Sequence, residues 1–512
     1  MQPSKIPQIP ITGRAPFLTA SKLIVAGLIL AGTLLRAGPC RAELSPQQAE
    51  QKSPNVATKQ LFEPLRKQLE EALDRAKVPA AALVLVDTQH KSREKRLIHS
   101  FGSATETTPF RLGSISKTFT ALALLHAAAA TATPLSSAAA PIIGERYWSN
   151  PYKSKNPVSL AQLVELSAGF SDISAAEFAS AVPIERKQAL SIHSATHVTH
   201  WPPGAFHSYS NLAPAFTALA IEALTHQRFD DYLHHNVLKP LGLPGASLAP
   251  LPNLPGGYKA DGATPIPYWH TIYPAFGGLN ATPAEFANFL SRLVSDNLGE
   301  SLSAARDHRG GVPLYQPLTT AAARAGLTRG YGTGIYGWER HGHRFAGHGG
   351  DADGYRSRYA IMPDAKRGYF LAINTDNPGL LRALTKKVER YLTQDLPKPH
   401  QSAVILDRQT LGAIAAHAQA FAGKYVRASV RFDPGALSRC EQKQPRLSIN
   451  NTDVLWQRGE RTQRLKATSK GLYRKPNNTL ASVALVYING KRHLHEDGAN
   501  WVHVEDASRC SH

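Results

Sequence analysis

Apolar residues recur at helical spacing through Leu61–Arg75, and the pattern changes at Pro79. The run Ala80-Ala-Ala-Leu-Val-Leu-Val86 is apolar without a break, which predicts a strand buried on both faces, with Arg96–Phe101 as its neighbour. Phe110–Ala130 predicts a long helix of small residues entered through Gly113. From about 131 to 240 the periodicity is helical, and Phe229–Leu238 forms one amphipathic helix stopped by Pro240-Leu-Gly-Leu-Pro244. Residues 244–275, rich in Pro and Gly, predict a long loop over one face. Thr282-Pro-Ala-Glu285 opens another helix with a capping box and Pro at its first turn. Tyr331–Glu339, Gly354–Met362 and Gly368–Asn374 predict three successive antiparallel strands, and Gly379–Leu392 a returning helix. Beyond a linker at 396–404 the character changes. Residues 405–512 alternate in short stretches broken at Asn450-Asn451, Asn477-Asn478 and Asn489-Gly490, the pattern of a small antiparallel barrel or sandwich.

At the other end, the first 42 residues hold no Asp or Glu but carry Lys5, Arg14, Lys22, Arg36 and Arg41. The apolar run Leu23–Leu35 follows, then Cys40-Arg41-Ala42. A basic start, a short apolar stretch and a small residue at the cleavage point predict a signal peptide over 1–42 and a periplasmic or secreted protein. As a helix the run would span about 20 Å against the roughly 30 Å of a bilayer core, which leaves an uncleaved membrane anchor as the second reading. The segment 43–395 is long enough for one large domain, and 405–512 for a second.

Composition adds little to this division. Apolar residues make up 42% and charged residues 19%, as in a globular protein with a large core. The formal charge of +20 is scattered, with no basic stripe studded by aromatics, so nucleic acid is not expected as a partner. An anionic envelope surface is compatible with it. The leader's removal would leave Cys440 and Cys510, either paired in an oxidising compartment or free. No Cys/His spacing calls for a metal, and no cofactor is expected.

Three short motifs carry the candidate chemistry. Ser114-Ile-Ser-Lys117 places a hydroxyl and an amine one helical turn apart at the start of an apolar helix. The same spacing at Ser92-Arg-Glu-Lys95 lies in a charged turn with no helix after it. Tyr209-Ser-Asn211 supplies a phenol that neighbouring cations could push toward phenolate, so that it takes the serine proton, and an amide to orient Lys117 and substrate. His348-Gly349-Gly350-Asp351 offers a glycine-rich backbone at the mouth of a strand, where a ligand can approach closely. His308-Arg-Gly310 and Lys366-Arg-Gly368 share its loose pattern without that setting.

The order Ser…Tyr…His within one domain-sized segment resembles the serine β-lactamase-like superfamily, in its branch of class C β-lactamases, D,D-carboxypeptidases, D-aminopeptidases and esterases. Leu163-Val-Glu-Leu-Ser-Ala-Gly169, Pro240-Leu-Gly-Leu243, Phe276-Gly-Gly-Leu-Asn-Ala-Thr282 and Gly347–Tyr355 extend the resemblance over roughly 60–395. It implies an α/β (α+β) fold, an antiparallel sheet flanked by helices with a helical lobe, plus a C-terminal barrel. It further implies an acyl-enzyme on Ser114, with Lys117 and Tyr209 catalytic. Asn211, His348, Gly349, Gly350 and Asp351 would bind substrate, with His348 on the edge strand of the cleft. The oxyanion would rest on the backbone N–H groups of Ser114 and Asp351.

The substrate implied is a small peptide, amide or ester. Two departures matter. His stands where efficient β-lactamases carry Lys, which favours a peptidase or esterase over a β-lactamase. Asp351 and Asp353 replace small residues, either to attract a substrate amine or to form turns. A non-catalytic envelope binding protein on the same fold is the contrasting reading.

Overall fold

The computed structural model describes residues 56–89, 95–296, 309–397, 406–432, 444–451 and 453–507. The expected leader, most of the 396–404 linker, Cys440 and Cys510 lie outside them. Helix α1 (Val56–Arg75) leads into strands β1 (Ala80–Asp87) and β2 (Lys95–Gly102). The central helix α2 (Ser116–Ala130) and α3 (Leu212–Thr225) belong to the helical lobe, and α4 (Pro283–Ser295) returns the chain to the sheet. Strands β3 (Tyr336–Arg340), β4 (His343–Ala352), β5 (Tyr355–Met362) and β6 (Arg367–Ile373) precede α5 (Pro378–Thr393).

Among the described residues these strands make one antiparallel six-stranded sheet in the order β2-β1-β6-β5-β4-β3. The unbroken apolar run of β1 is explained by its two faces. Ala80, Ala82, Val84 and Val86 join the core shared with α2, α3 and α4, while Ala81, Leu83 and Leu85 meet α1 and α5. Leu65, Leu69 and Leu73 of α1 and Leu381, Leu384 and Val388 of α5 fill that second core, each fully buried side chain contributing about 1.5–3 kcal/mol. Helices α2 and α3 are alanine-rich and buried around most of their girth, so they pack against each other in the lobe's interior.

The structure departs from the expected elements in two places near the motifs. Phe110–Ala130 is not one helix: a two-residue strand (Phe110–Arg111) and a 3-10 turn (Gly113–Ile115) precede α2. Ser114 therefore sits on that turn, and Lys117 in the first turn of the helix proper. The second departure is β4, which holds the whole Gly347–Ala352 run and lies between the first two expected strands. Its glycines and polar residues lack alternation, so nothing in the pattern marked it as a strand. It pairs on both sides, with β3 and β5. The pairing with β3 ends at Gly347, so His348 lies just beyond it, paired with Tyr359 of β5 and with no strand partner on its other side among the described residues.

The C-terminal region opens with a helix the sequence pattern did not reveal, α6 (Arg408–Gln419). The strands β7 (Gly423–Arg427), β8 (Arg446–Asn450), β9 (Asp453–Arg458), β10 (Arg461–Ser469), β11 (Leu472–Arg474), β12 (Val483–Ile488), β13 (Lys491–Glu496) and β14 (Ala499–His503) follow. Each pairs with the next and β14 pairs back to β7, so they close a barrel with no free edge. Tyr425, Trp456, Tyr473, Leu494 and Trp501 fill its interior, and Ile414 and Ala418 of α6 join them.

This barrel does not stand apart. Trp201, Ala205 and Phe206 of the lobe pack with Val426, Ala428 and Val502 of the barrel. Asn500 Nδ2 donates to the carbonyl of His207, 2.7 Å away. The loop that carries Tyr209 is therefore held from both sides.

Candidate active site

Backbone approach sets the first part of the site. Gly113 has φ +51, and a Cβ there would lie 2.7 Å from the backbone nitrogen of Asp351. A Cβ on Gly350 would lie 1.8 Å from the carbonyl oxygen of Leu112. Glycine at both positions lets β4 run against the turn that bears Ser114, far closer than any side chain would allow. Ser116 Oγ then pins the turn, donating to the Gly113 carbonyl (2.7 Å) and accepting from the Leu279 N–H (3.0 Å).

Lys117 is 2% exposed and surrounded by acceptors. Its Nζ lies 2.6 Å from Asn211 Oδ1, 3.1 Å from the Phe276 carbonyl oxygen and 3.0 Å from Ser114 Oγ. Burial drives its pKa well below the ordinary lysine value, with Arg431 adding to the effect and Asp172 and Asp351 opposing it. As a neutral amine Lys117 would give N–H bonds to Asn211 and Phe276 and turn its lone pair to the Ser114 proton.

Tyr209 stands on the loop before α3, its ring 4.8 Å from Lys117 Nζ and its hydroxyl bonded to Ser114. The expected lowering of its pKa does not occur. Burial raises it, and outweighs both the Ser114 hydrogen bond and the charge of Arg431. Burial thus keeps the phenol protonated and not a standing phenolate. Asn211 occupies the position before the first residue of α3. Asp172, fully buried, fixes it by accepting from its backbone N–H (2.7 Å) and from its Nδ2 (3.3 Å).

His348 is 2% exposed. Its Nδ1 lies 2.6 Å from the Gly349 carbonyl and its Nε2 3.2 Å from the Tyr331 hydroxyl. Burial, followed by the Lys117 charge, lowers its pKa to about 3, so the ring is neutral at pH 7. Tyr209, Tyr331 and Tyr336 stand around it with ring centroids 5.3–6.4 Å away.

Gly349 and Gly350 continue β4 beside the turn, and Asp351 pairs with Arg356 across the strands at 2.8 Å. Of the two roles left open for the aspartates, neither fits Asp351 fully: it lies on a strand, with its charge already met. Asp353 lies between β4 and β5, before Gly354 at φ +85.

The structure thus brings Ser114, Lys117, Tyr209 and Asn211 into one bonded group, with His348 and the 349–351 backbone beside it. Sequence reading missed Asp172, the Phe276 carbonyl, the two tyrosines around His348 and Arg431. Asp172 lies three residues beyond the Leu163–Gly169 segment and could have been found by following it. Arg431 carries no local signal at all. Among the described residues no group of three His, Cys, Asp or Glu is placed to hold a metal ion.

A family model described as Beta-lactamase matches residues 65–392, well over half of the chain. The chain belongs to the beta-lactamase family. Members of this family are generally serine hydrolases, and the match spans Ser114, Tyr209 and His348 alike.

Solved structures share its fold. The octameric penicillin-binding protein homologue from Pyrococcus abyssi is 17% identical, with a TM-score of 0.54, covering 86% of this chain and 99% of that one. SurE with D-Leu is 17% identical, with a TM-score of 0.53, covering 87% and 100%. A D-stereospecific amidohydrolase from Streptomyces sp. is 19% identical, with a TM-score of 0.51, covering 65% and 98%. The first two matches cover more of this beta-lactamase family member than the segment 65–392 can supply.

Proposed function

We propose that this protein is an exported serine hydrolase that forms an acyl-enzyme on Ser114 and acts on a peptide, amide or ester. The observation that carries the reading is the buried Lys117, its pKa driven well below the ordinary lysine value, bonded at once to Ser114, Asn211 and the Phe276 carbonyl. A buried lysine with no ion-pair partner among the described residues is the arrangement expected of a general base.

Lys117 takes the proton as Ser114 Oγ attacks the substrate carbonyl carbon. The oxyanion rests on the backbone N–H groups of Ser114 and Asp351, whose approach the two glycines permit. The proton passes through the neutral Tyr209 hydroxyl to the leaving amine or alkoxide, and the bond to the leaving group breaks. Water then repeats the sequence on the ester with Lys117 as base, releasing the acid and Ser114.

Neutral His348 supplies no fixed charge for a β-lactam carboxylate, which favours peptidase or esterase activity over a β-lactamase. The shared fold of a D-stereospecific amidohydrolase makes a D-configured amide the first substrate to try. Export rests on the leader, and the mature N-terminus after secretion tests it: a chain still beginning at Met1 would refute cleavage.

A fluorophosphonate probe should label the wild-type protein and not Ser114→Ala, and turnover of a D-Ala-D-Ala peptide, p-nitrophenyl butyrate and nitrocefin would rank the activities. Absence of labelling in the wild type would favour the non-catalytic binding protein.

A further inference from the structure

Arg431 follows β7 of the barrel, yet it stands in the candidate active site. Its Nε donates to Asp172 Oδ2 at 2.7 Å, its backbone carbonyl accepts from the Asp172 N–H at 2.7 Å, and its guanidinium lies 4.5 Å from the centroid of the Tyr209 ring. The side chain is 44% exposed. Its terminal nitrogens hydrogen-bond to nothing among the described residues.

Four groups around the site already have partners. Lys117 is buried and engaged on three sides. His348 is neutral with both ring nitrogens occupied. Arg356 is held between Asp351 and Asp376. Asp172 spreads its charge over four donors, two from Asn211 plus the Ile173 N–H and Arg431 Nε. Among the described residues the guanidinium keeps a planar pair of donors without partners beside the Tyr209 ring, the geometry that takes a carboxylate in two parallel bonds.

We infer that Arg431 is the cation that recognises a free carboxylate on the substrate, supplied by the barrel in place of the charge that His348 lacks. The inference rests on the hydrolase reading and names its substrate class: peptides or amides with a free terminal carboxylate near the scissile bond. On this view the barrel is a specificity element, and the apolar interface around Phe206 and Val502 fixes where its arginine falls.

The test measures protection of Ser114 from fluorophosphonate labelling by an N-acetylated D-Ala-D-Ala dipeptide and by its C-terminal amide. In the wild type the acid should protect at a concentration at least tenfold below that of the amide. Arg431→Gln should erase the difference, and Arg431→Lys should keep part of it. Equal protection by acid and amide in the wild type, or by neither, overturns the inference without any variant while leaving the hydrolase reading in place. A difference that survives in Arg431→Gln overturns it too, and assigns Arg431 to positioning Asp172 alone. A wild-type protein that the probe does not label at all brings down the hydrolase reading and this inference together.

Discussion

The hydrolase segment and the barrel both rest on antiparallel strands around apolar cores, but they reach the nucleophile by different routes. In the hydrolase segment, Ser114 and Lys117 meet because one turn of backbone puts them there, and Asn211 joins them from the start of a neighbouring helix. The barrel has no such local device. Its Arg431 arrives at Asp172 across 259 positions of chain, and only because eight strands close and then dock on the lobe through Trp201, Phe206 and Val502. The Ser114–Lys117 contact is therefore built from short-range geometry, while the electrostatic setting of the same site depends on a long-range interface.

The sharpest break in that comparison is Lys117→Ala. If the base is local, kcat/KM on a p-nitrophenyl ester should fall by about 10³-fold or more. A loss under tenfold would move the base elsewhere. In the wild type, kcat/KM should rise with pH through the lowered Lys117 pKa, because only the neutral amine can accept the serine proton.

Phe206→Ala strikes the interface instead, and should cost about 3 kcal/mol of stability, read by urea unfolding. If the two regions are coupled as described, activity and barrel fluorescence should be lost in one transition. Two separated transitions would show that the docking is weak.

Asp172→Asn addresses the link between them. It would leave an amide N–H₂ facing the Asn211 Nδ2 or Arg431 Nε donors, so stability should fall by about 1–3 kcal/mol and kcat/KM of the folded protein by about 10- to 100-fold. An unchanged rate would reduce Asp172 to a packing role.

The smallest effect compares the two regions by proton uptake. Burial holds His207 at about 4 and His348 at about 3 near the site, and His493 at about 4 and His495 at about 3 in the barrel. An unfolded histidine titrates near 6.5. Between those values the unfolded chain binds protons that the folded chain refuses, so stability falls as pH drops below about 6.5, by about 1.4 kcal/mol per unit for each histidine. His495→Gln should remove one histidine's share of that slope in melting temperatures taken from pH 6.5 to 4.5. An unaltered slope would exclude His495 from the proton uptake and leave it to the other three.

The apolar run of β1 announced a two-faced strand before any partner was known, since seven apolar residues in a row have no solvent side. The Thr282 capping box formed as read, with the Thr282 hydroxyl and the Glu285 carboxylate satisfying each other's backbone N–H groups. These are local rules, and local sequence determines them. Ser114 and Lys117 were legible for the same reason, because their spacing is itself a distance.

Tertiary structure decided the rest. It made β4 a strand out of a glycine run with no strand propensity, because close packing against the Ser114 turn needs residues without side chains there. It reversed the expected shift of Tyr209, since burial acts on the phenol more strongly than the nearby cations. It made Glu165, one residue of the Leu163–Gly169 segment, the buried partner of Arg309 at 3.1 Å and the acceptor for the Leu318 and Thr319 N–H groups. And it brought Arg431 to Asp172, a contact set by the closure and docking of a whole barrel, which no stretch of sequence around either residue encodes.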